Sequence, residues 1–147
     1  MQKEEVTFRS LLPSDYDDLI RLWQEAGLPY RPLGRDQREK ILTELNNPFE
    51  MFILAFCHDR LVGSILASHD GRKGWLNRLC VMPDFRKQGL GRALIAEAEK
   101  FLENQGLEIF ACLIEEENAE SMKLFANAGY TRFDEIKYFT RKKHPDI

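Results

Sequence analysis

The chain has 147 residues, which is the size of one domain with a single hydrophobic core. Hydrophobic residues make up 44% of it and charged residues 31%, and 21 basic against 24 acidic side chains give a net charge of −3. This composition excludes a disordered chain and argues against a nucleic-acid binder, which usually carries an excess of Lys and Arg. We therefore expect one globular domain over residues 1–147.

No stretch of the sequence predicts a membrane span or an export signal. The longest apolar run, Met51 to Cys57, is far shorter than the roughly 20 residues of a transmembrane helix. The N-terminal residues carry both charge signs without an apolar stretch. Cys57, Cys80 and Cys112 are widely spaced in apolar runs, so we expect neither disulfides nor a metal site. These features predict a cytoplasmic protein that does not bind membranes.

The first half of the chain predicts a strand, two helices and a β-hairpin. Ser14 is a suitable N-cap because acidic residues follow it, and Gly27 ends the helix it opens. A Pro-rich loop then leads to Asp36, which opens the second helix. In chain order, the predicted elements are a strand at 6–9, helices from 14 to 27 and from 36 to 45, and paired strands at 51–57 and 61–68.

The second half alternates strands with amphipathic helices. Leu90, Leu94, Ala98 and Phe101 recur at helical spacing and mark the buried face of the third helix. The predicted elements are strands at 75–81, 108–114 and 136–141, with helices at 90–104 and 118–128 between them. Helices that connect strands in this way are typical of an α/β sandwich with a mixed sheet.

A basic turn with two glycines joins the strand at 75–81 to the helix that follows it. Residues 86–92 read Arg-Lys-Gln-Gly-Leu-Gly-Arg. Gly89 and Gly91 let a ligand approach the main chain, and the first N–H groups of the helix point outward with partial positive charge. The charged side chains around them are Arg86, Lys87 and Arg92. This pattern predicts a site for a diphosphate, although a plain turn with solvated basic residues would also explain it.

Two other phosphate-binding motifs are excluded by inspection. A P-loop needs GxxxxGK followed by Ser or Thr, and the dinucleotide fingerprint needs a third glycine where Leu94 stands. What remains is R-x-x-G-x-G after a strand that ends in residues 79–83, and this arrangement resembles motif A of the GNAT superfamily of N-acetyltransferases. Residues 118–130, NAESMKLFANAGY, resemble the second signature of that family. Residues 70–75 are similar to a subgroup of small bacterial-type, single-domain members.

The resemblance covers essentially the whole chain and implies a GNAT-like α/β/α sandwich whose mixed central sheet is splayed into a V. It implies that acetyl-CoA lies between the strands at 75–81 and 108–114, with the turn around its diphosphate. Asn118 is also a good helix cap, and Lys87 and Arg92 can equally be surface charges. The cofactor-binding residues it implies are Leu79, Cys80, Val81, Arg86, Lys87, Gln88, Gly89, Leu90, Gly91, Arg92, Asn118 and Phe125.

The catalytic residues stay open at the level of the sequence. Many members of the family place a Tyr general acid where this chain has Phe125, which has no proton to donate. The remaining candidates are Glu115, within an acidic run that a solvated loop would also explain, and Tyr138. We expect Tyr130 to pack in the core.

The implied activity is transfer of an acetyl group from acetyl-CoA to a primary amine of a small molecule or a peptide. The candidate substrate contacts are Tyr30 and Arg31 in the loop at 29–35 and Trp75 and Arg78 on the central strand. The alternative, motivated by Phe125, is a non-catalytic acyl-CoA-binding regulatory module of the same fold. The sequence leaves a homodimer open.

Overall fold

The computed structural model describes residues 5–147 and contains one mixed sheet flanked by helices. The strands are β1 (Thr7–Ser10), β2 (Glu50–Cys57), β3 (Arg60–His69), β4 (Gly74–Val81) and β5 (Phe110–Ala111). The helices are α1 (Tyr16–Ala26), α2 (Arg38–Glu44), α3 (Leu90–Asn104) and α4 (Ala119–Asn127), with short 3-10 turns at Pro13–Asp15 and Pro83–Phe85. Within the described part of the chain, no helix combines the length and apolar character that crossing a bilayer requires.

The sheet has the order β1-β2-β3-β4-β5, so spatial neighbours are also neighbours in sequence. The first four strands pair antiparallel, and β5 joins β4 in parallel. The parallel pairing covers only Gly74 with Phe110 and Trp75 with Ala111. Beyond those two pairs β4 and β5 separate, which gives the sheet the V-shaped splay that the resemblance implies.

Two adjacent residues of β3 show that the helices form layers on opposite faces of the sheet. Ser64 accepts a hydrogen bond from the buried Trp23 indole of α1 (3.1 Å). A Cβ on its neighbour Gly63 would lie 2.9 Å from a methyl group of Leu94 in α3. Because successive side chains of a strand point to opposite faces, α1 and α3 lie on opposite sides of β3. The predicted α/β/α sandwich is confirmed.

A β-bulge interrupts β4 in its middle. Ser64 pairs with Cys80 and Leu66 pairs with Asn77, so Ile65 lies opposite two residues of β4. One of those two, Arg78, has a left-handed φ of 56°. A bulge of this kind bends a strand and increases its twist, which fits a strand that leaves its parallel neighbour.

The side chain of Arg78 holds the loop between α1 and α2 against this bulge. Its guanidinium donates to both carboxylate oxygens of Asp36 (2.9 and 2.7 Å) and to the Pro29 carbonyl (2.7 Å). It also lies 5.0 Å above the Trp23 ring. Asp36 in turn accepts the Arg31 backbone N–H (2.6 Å) and keeps only 4% of its side chain exposed. The loop that the sequence assigns to substrate is thus anchored on the central strand.

The structure corrects four of the predictions about individual elements and their first residues. Asp15, rather than Ser14, organises the start of α1, because its carboxylate accepts the Leu12 N–H (2.8 Å). Asp36 is a buried ion-pair partner ahead of α2 and does not open it. The strand predicted at 108–114 shrinks to Phe110–Ala111, since only these residues pair with β4.

The fourth correction concerns the last predicted strand. Residues 136–141 form no strand in the structure, although their sequence alternates. They pair with none of the five strands, and alternation alone cannot supply a partner strand.

We expect Asp36→Ala to lower the free energy of unfolding by about 3–5 kcal/mol, because it leaves a largely buried guanidinium without its carboxylate. The matched control is Asp18→Ala, whose pair with Arg21 is more than half exposed on both sides; its effect should stay below about 1 kcal/mol. Urea denaturation of the two variants and wild type measures both values. Equal losses would show that the Asp36 pair contributes no more than a surface pair.

Candidate active site

The edge of β4 that faces the opening presents an available backbone N–H. Met82 N–H donates to Val62 O (2.8 Å), which makes the facing residues Val81 and Gly63 a non-hydrogen-bonded antiparallel pair. The N–H and C=O of Val81 therefore point away from β3, toward the gap left by β5. Cys80, one residue earlier, pairs with Ser64 and directs its main chain toward β3. Of the strand residues predicted to bind the cofactor, Val81 directs its main chain to the opening and Cys80 directs it to β3, whereas Leu79 lies in the bulge and pairs with no residue of β3.

Burial raises the pKa of the Cys80 thiol to about 12. Its Sγ lies 3.9 Å from the Leu22 carbonyl of α1, on the face away from α3. A thiol with such a pKa stays protonated at neutral pH and is a poor nucleophile. Cys80 is therefore a core residue.

The N-terminus of α3 lies directly after the strand that carries Val81 and exposes a set of backbone amides. Gly89 is the N-cap, with a left-handed φ of 86° that suits glycine, and it has no side chain to accept these N–H groups. The first helical bond runs from Ala93 N–H to Gly89 O (3.0 Å). The N–H groups of Leu90, Gly91 and Arg92 precede it and meet no acceptor among residues 5–147. They carry the partial positive charge of the helix and fit an anionic ligand.

Gly91 not only leaves room for a ligand but also allows α4 to pack closely against α3. A Cβ at this position would lie 2.8 Å from a methyl group of Leu124 in α4. The absence of a side chain lets α4 approach the first turn of α3, and this contact places the second signature segment beside the turn.

The basic side chains of the turn differ in the hydrogen bonds that they make within the protein. Arg86 donates to Val81 O (3.1 Å) and to Ala26 O at the end of α1 (2.9 Å). Arg92 donates to Asn127 O at the end of α4 (2.9 Å). Lys87 is exposed, holds a left-handed φ of 62°, and meets no partner within the described residues 5–147. Lys87 is thus the side chain whose charge is free to meet a ligand.

Two further loop residues are positioned by local contacts. Gln88 donates through its side-chain amide to the Asp84 carbonyl (3.1 Å). The Asp84 carboxylate accepts from Arg60 of β3 (2.8 Å), which ties the 3-10 turn to the hairpin.

The second signature supplies a capped helix and an aromatic pair. Asn118 accepts the Ser121 N–H through its side chain (3.1 Å) and so caps α4. Phe125 is buried and packs edge-on against Tyr130, with ring centroids 5.1 Å apart. The Tyr130 hydroxyl donates to Glu99 of α3 (2.6 Å). Burial, followed by this hydrogen bond to Glu99, raises the pKa of Tyr130 well above its usual value, so its phenol keeps its proton.

The two catalytic candidates from the sequence are not brought together. Glu115 is exposed in the loop that precedes α4, where its carbonyl accepts the Asn118 N–H (2.9 Å). Tyr138 is 72% exposed, in the stretch that forms no strand. Their catalytic roles remain predictions without a supporting contact.

Three of the candidate substrate residues, Tyr30, Arg31 and Arg78, lie at the anchored loop, and the fourth, Trp75, lies elsewhere on β4. The Tyr30 hydroxyl accepts from Gln24 of α1, and the Arg31 side chain is exposed. Trp75 is half-buried where β4 and β5 separate, with the Lys73 amine 5.5 Å from its ring centroid. Arg78 is engaged by Asp36 and Pro29, which makes it an anchor of the loop rather than an available cation.

Two acidic residues beside this loop, Glu44 and Glu50, are not predicted from the sequence. Burial, reinforced by the charges of Glu50 and Asp36, raises the pKa of Glu44 to about 7. Burial also raises the pKa of Glu50, whose Oε2 is shielded from solvent and has no hydrogen-bond partner among the described residues. Arg78 lies close enough to Glu44 for its charge to act in the opposite direction. No local pattern marks either residue, since both look like ordinary surface carboxylates at the ends of their elements.

The parallel strands β4 and β5 separate beside the N-terminus of α3, where backbone amides are exposed. This arrangement is that of an α/β protein that can bind an extended anionic ligand. The sequence matches the model of the acetyltransferase (GNAT) family over residues 13–130. It is 32% identical to an acetyltransferase of Yersinia enterocolitica, over 84% of this chain and 86% of the relative. An acetyltransferase of Pectobacterium atrosepticum is 31% identical, over 82% of this chain and 84% of the relative.

Solved structures show the same fold. The PaiA N-acetyltransferase of Thermoplasma acidophilum, solved with coenzyme A, superposes with a TM-score of 0.78 at 22% identity, covering 88% of this chain and 92% of that one. An aminoglycoside acetyltransferase from a soil metagenome, solved with sisomicin, gives 0.78 at 18% identity, covering 95% and 97%. The chain belongs to the GNAT family. It is an acetyltransferase that uses acetyl-CoA, as the resemblance implies.

We expect Glu44→Gln to stabilise the protein at alkaline but not at acidic pH. The folded state raises the pKa of Glu44 from its usual 4.5 to about 7, so the native protein binds a proton that the unfolded chain releases. The stability this proton provides is complete below pH 4.5 and is lost as pH rises through 7. The Tm of the variant should therefore exceed that of wild type more at pH 8 than at pH 5, as calorimetry can measure.

The control for this prediction is Glu39→Gln, an exposed carboxylate on the same helix. Its Tm difference from wild type should be small and the same at both pH values. A Glu44→Gln difference that does not change with pH would contradict the raised pKa.

Proposed function

We propose that this enzyme transfers the acetyl group of acetyl-CoA to a primary amine of a small molecule or a peptide. The observation that carries the proposal is the pairing of two features at one end of β4. These are the outward-facing Val81 N–H and the open amides of Leu90, Gly91 and Arg92. Together they provide donors for a carbonyl oxygen and for a diphosphate.

The donor site is built mainly from main-chain groups. When bound, acetyl-CoA supplies an activated thioester. We assign the amides at the start of α3 and the Lys87 amine to its diphosphate, and the unpaired edge of β4 to its extended arm, beside which the arm would lie like an added strand. Since the backbone donors are fixed by the fold, they need no rearrangement to bind.

The Val81 N–H is the donor suited to a developing negative charge. It lies on the unpaired edge of β4 and is held there by the pairing of Cys80 and Met82 with β3. A fixed amide that donates to the carbonyl oxygen as charge develops on it lowers the barrier to attack by an amine.

The acceptor amine has to lose a proton before it can attack. An alkylamine with a pKa near 10.4 is almost fully protonated at neutral pH, and exposing its lone pair costs about 4–5 kcal/mol at pH 7. We assign Glu44 as the candidate base, because its pKa of about 7 lets it accept a proton at neutral pH. Its closeness to Asp36 and Arg78 places it beside the anchored loop, on the face of β4 opposite α3.

The leaving group needs little help from the protein. Phe125 offers no proton where the family often has a tyrosine, and the raised pKa of Tyr130 and its bond to Glu99 make that phenol a poor substitute. A thiol has a pKa near 8.5, so its anion is tolerable at neutral pH.

The comparisons support an amine acceptor. One relative in Yersinia pestis, 31% identical, is called an uncharacterized N-acetyltransferase. Two proteins of the same fold are a PaiA N-acetyltransferase and an aminoglycoside acetyltransferase. The exposed Arg31 and the half-buried acidic pair Glu44 and Glu50 favour an acceptor with both a cationic amine and an anionic group.

We expect Lys87→Glu to weaken coenzyme A binding about tenfold, because it reverses a charge beside the diphosphate site that no residue among 5–147 pairs with. Isothermal titration with coenzyme A at low salt measures the loss. The matched control is Lys100→Glu, the same change on an exposed residue near the far end of α3. Equal affinities in the two variants would contradict the assignment of this turn to the diphosphate.

The Glu44→Gln variant tests whether Glu44 is the base that accepts the proton of the acceptor amine. Coenzyme A release over a panel of polyamines, amino acids, aminoglycosides and peptide N-termini should identify an acceptor, and its kcat/KM should show an inflection near pH 7. The variant should lose that inflection and about a hundredfold in kcat/KM at neutral pH, while its affinity for coenzyme A is unchanged. Glu39→Gln, on the same helix, should keep the wild-type profile. An unaltered profile in Glu44→Gln would remove it as the base, and no release with any amine would contradict the proposed acceptor class.

A further inference from the structure

The face of the sheet opposite α3 is only partly covered by helices. At the ends of β3 and β4 that lie far from the diphosphate turn, Ala67 and Leu76 face α3 and are buried (0% and 2% exposed). The residues beside them point to the other face, where Ser68 and Trp75 are half-buried and Asn77 is exposed. This open stretch of sheet lies on the same side as α1, α2 and the anchored loop.

One row of paired residues crosses the open stretch. Glu50 of β2 pairs with Ser68 of β3, and Ser68 pairs with Trp75 of β4. Paired residues point to the same face, and Phe52, two residues after Glu50, packs against Trp23 of α1 on that face (ring centroids 6.3 Å apart). With neighbouring strands about 4.8 Å apart, Glu50 and Trp75 stand roughly 10 Å from each other across the small Ser68 side chain. We call the space above Ser68, between these two residues, the serine notch.

Both walls of the serine notch attract a cation. Glu50 Oε2 is shielded from solvent and has no hydrogen-bond partner among residues 5–147. Carboxylates in such surroundings are usually paired with a positive charge. The ring of Trp75 has the Lys73 ammonium 5.5 Å from its centroid, so a cation can approach the indole. An aromatic ring and a carboxylate on either side of a small residue are suited to an ammonium group.

The serine notch lies beside the place to which we assign acetyl transfer. Glu50 is near enough to Glu44, the candidate base, for its charge to raise the pKa of that carboxyl. Along β4, Trp75 precedes the bulge residue Arg78 by three residues, which is about 10 Å at 3.3 Å per residue. Leu66, half-buried on the same face, offers apolar surface between them. A ligand that reaches both places needs a polar group at each end and a chain of methylene groups between.

We propose that the acceptor is a diamine whose unreacted ammonium group binds in the serine notch, between the Glu50 carboxylate and the Trp75 ring. This inference rests on the proposed function and names the class of amine. The reacting amine lies near Glu44, and the methylene chain crosses Leu66. A second ammonium does not conflict with the anionic group that the exposed Arg31 favours, since one molecule can carry both, as basic amino acids do.

The two amines of the acceptor have different fates. At the reacting nitrogen, the C–N bond to the acetyl group forms as the C–S bond of the thioester breaks. One proton of that nitrogen passes to Glu44, and the thiolate leaves. The second ammonium keeps its proton and its charge throughout, so the serine notch holds it before and after transfer and acts on binding rather than on the chemical step.

A diamine and a monoamine of equal length test the proposal. α,ω-Diaminoheptane has its nitrogens about as far apart as Trp75 and Arg78 when its chain is extended, and heptylamine replaces one ammonium with a methyl group. Titration of the protein with each amine, in the presence of coenzyme A, gives Kd, and coenzyme A release from acetyl-CoA gives kcat/KM. We expect about a tenfold preference for the diamine in both quantities. Diaminopropane, which is too short to reach the notch, should lose this preference.

Three variants locate the preference. Glu50→Gln and Trp75→Leu should each bring the ratio of the two amines close to one, whereas the control Glu103→Gln, an exposed carboxylate of α3 behind the sheet, should keep the wild-type ratio. The ratio isolates the notch, because any change in Glu44 affects both acceptors alike. Lys73→Gln removes a like charge beside the ring and should tighten diamine binding, which a general structural defect would not do. Circular dichroism and Tm check that each variant is folded.

The outcomes separate this inference from the proposed function. Acetylation of both amines with equal kcat/KM, or a diamine preference that survives both Glu50→Gln and Trp75→Leu, would overturn the serine notch and leave the transfer to amines intact. Preferential binding of the diamine that depends on Glu50, without release of coenzyme A, would support the notch and contradict the proposed function.

Discussion

The separation of β4 from β5 is the constraint on which the site depends. A strand paired along both edges has no free backbone groups, and a ligand could reach it only from its faces. Here the parallel ladder stops after Trp75 and Ala111, and the bulge at Arg78 turns the rest of β4 away. The Val81 N–H is therefore left to face the opening, directly ahead of the first turn of α3. These backbone groups are available to a ligand because β5 is too short to form hydrogen bonds with them.

Much of the fold was predictable because local patterns decide it. The amphipathic period of α1 and α3 and the long apolar runs of β2 and β3 each follow from residues close together in sequence. The start of α3 is marked by Gly89, whose left-handed φ few other residues adopt readily. These elements lie within one or two residues of their predicted bounds.

The features that could not be predicted from the sequence depend on contacts between distant parts of the chain. The length of β5 is set by where β4 bends, and the segment expected as a strand at 136–141 pairs with none of the five strands, so neither feature could be read from alternation. In the sequence Asp36 resembles a helix cap, and only the structure shows that it pairs with Arg78. Glu44 and Glu50 differ from surface carboxylates only through burial, which one sequence does not reveal. A motif predicts the residues of the candidate donor side, whereas no pattern in the sequence predicts those of the candidate acceptor side.

The contact between Gly91 and Leu124 links the two signature segments sterically. A Cβ added at Gly91 would overlap with the terminal methyl group of Leu124, so that side chain would have to turn away from α3 to make room for it. Because Leu124 belongs to the second signature segment, a substitution in the diphosphate turn would be felt first in the packing of α4.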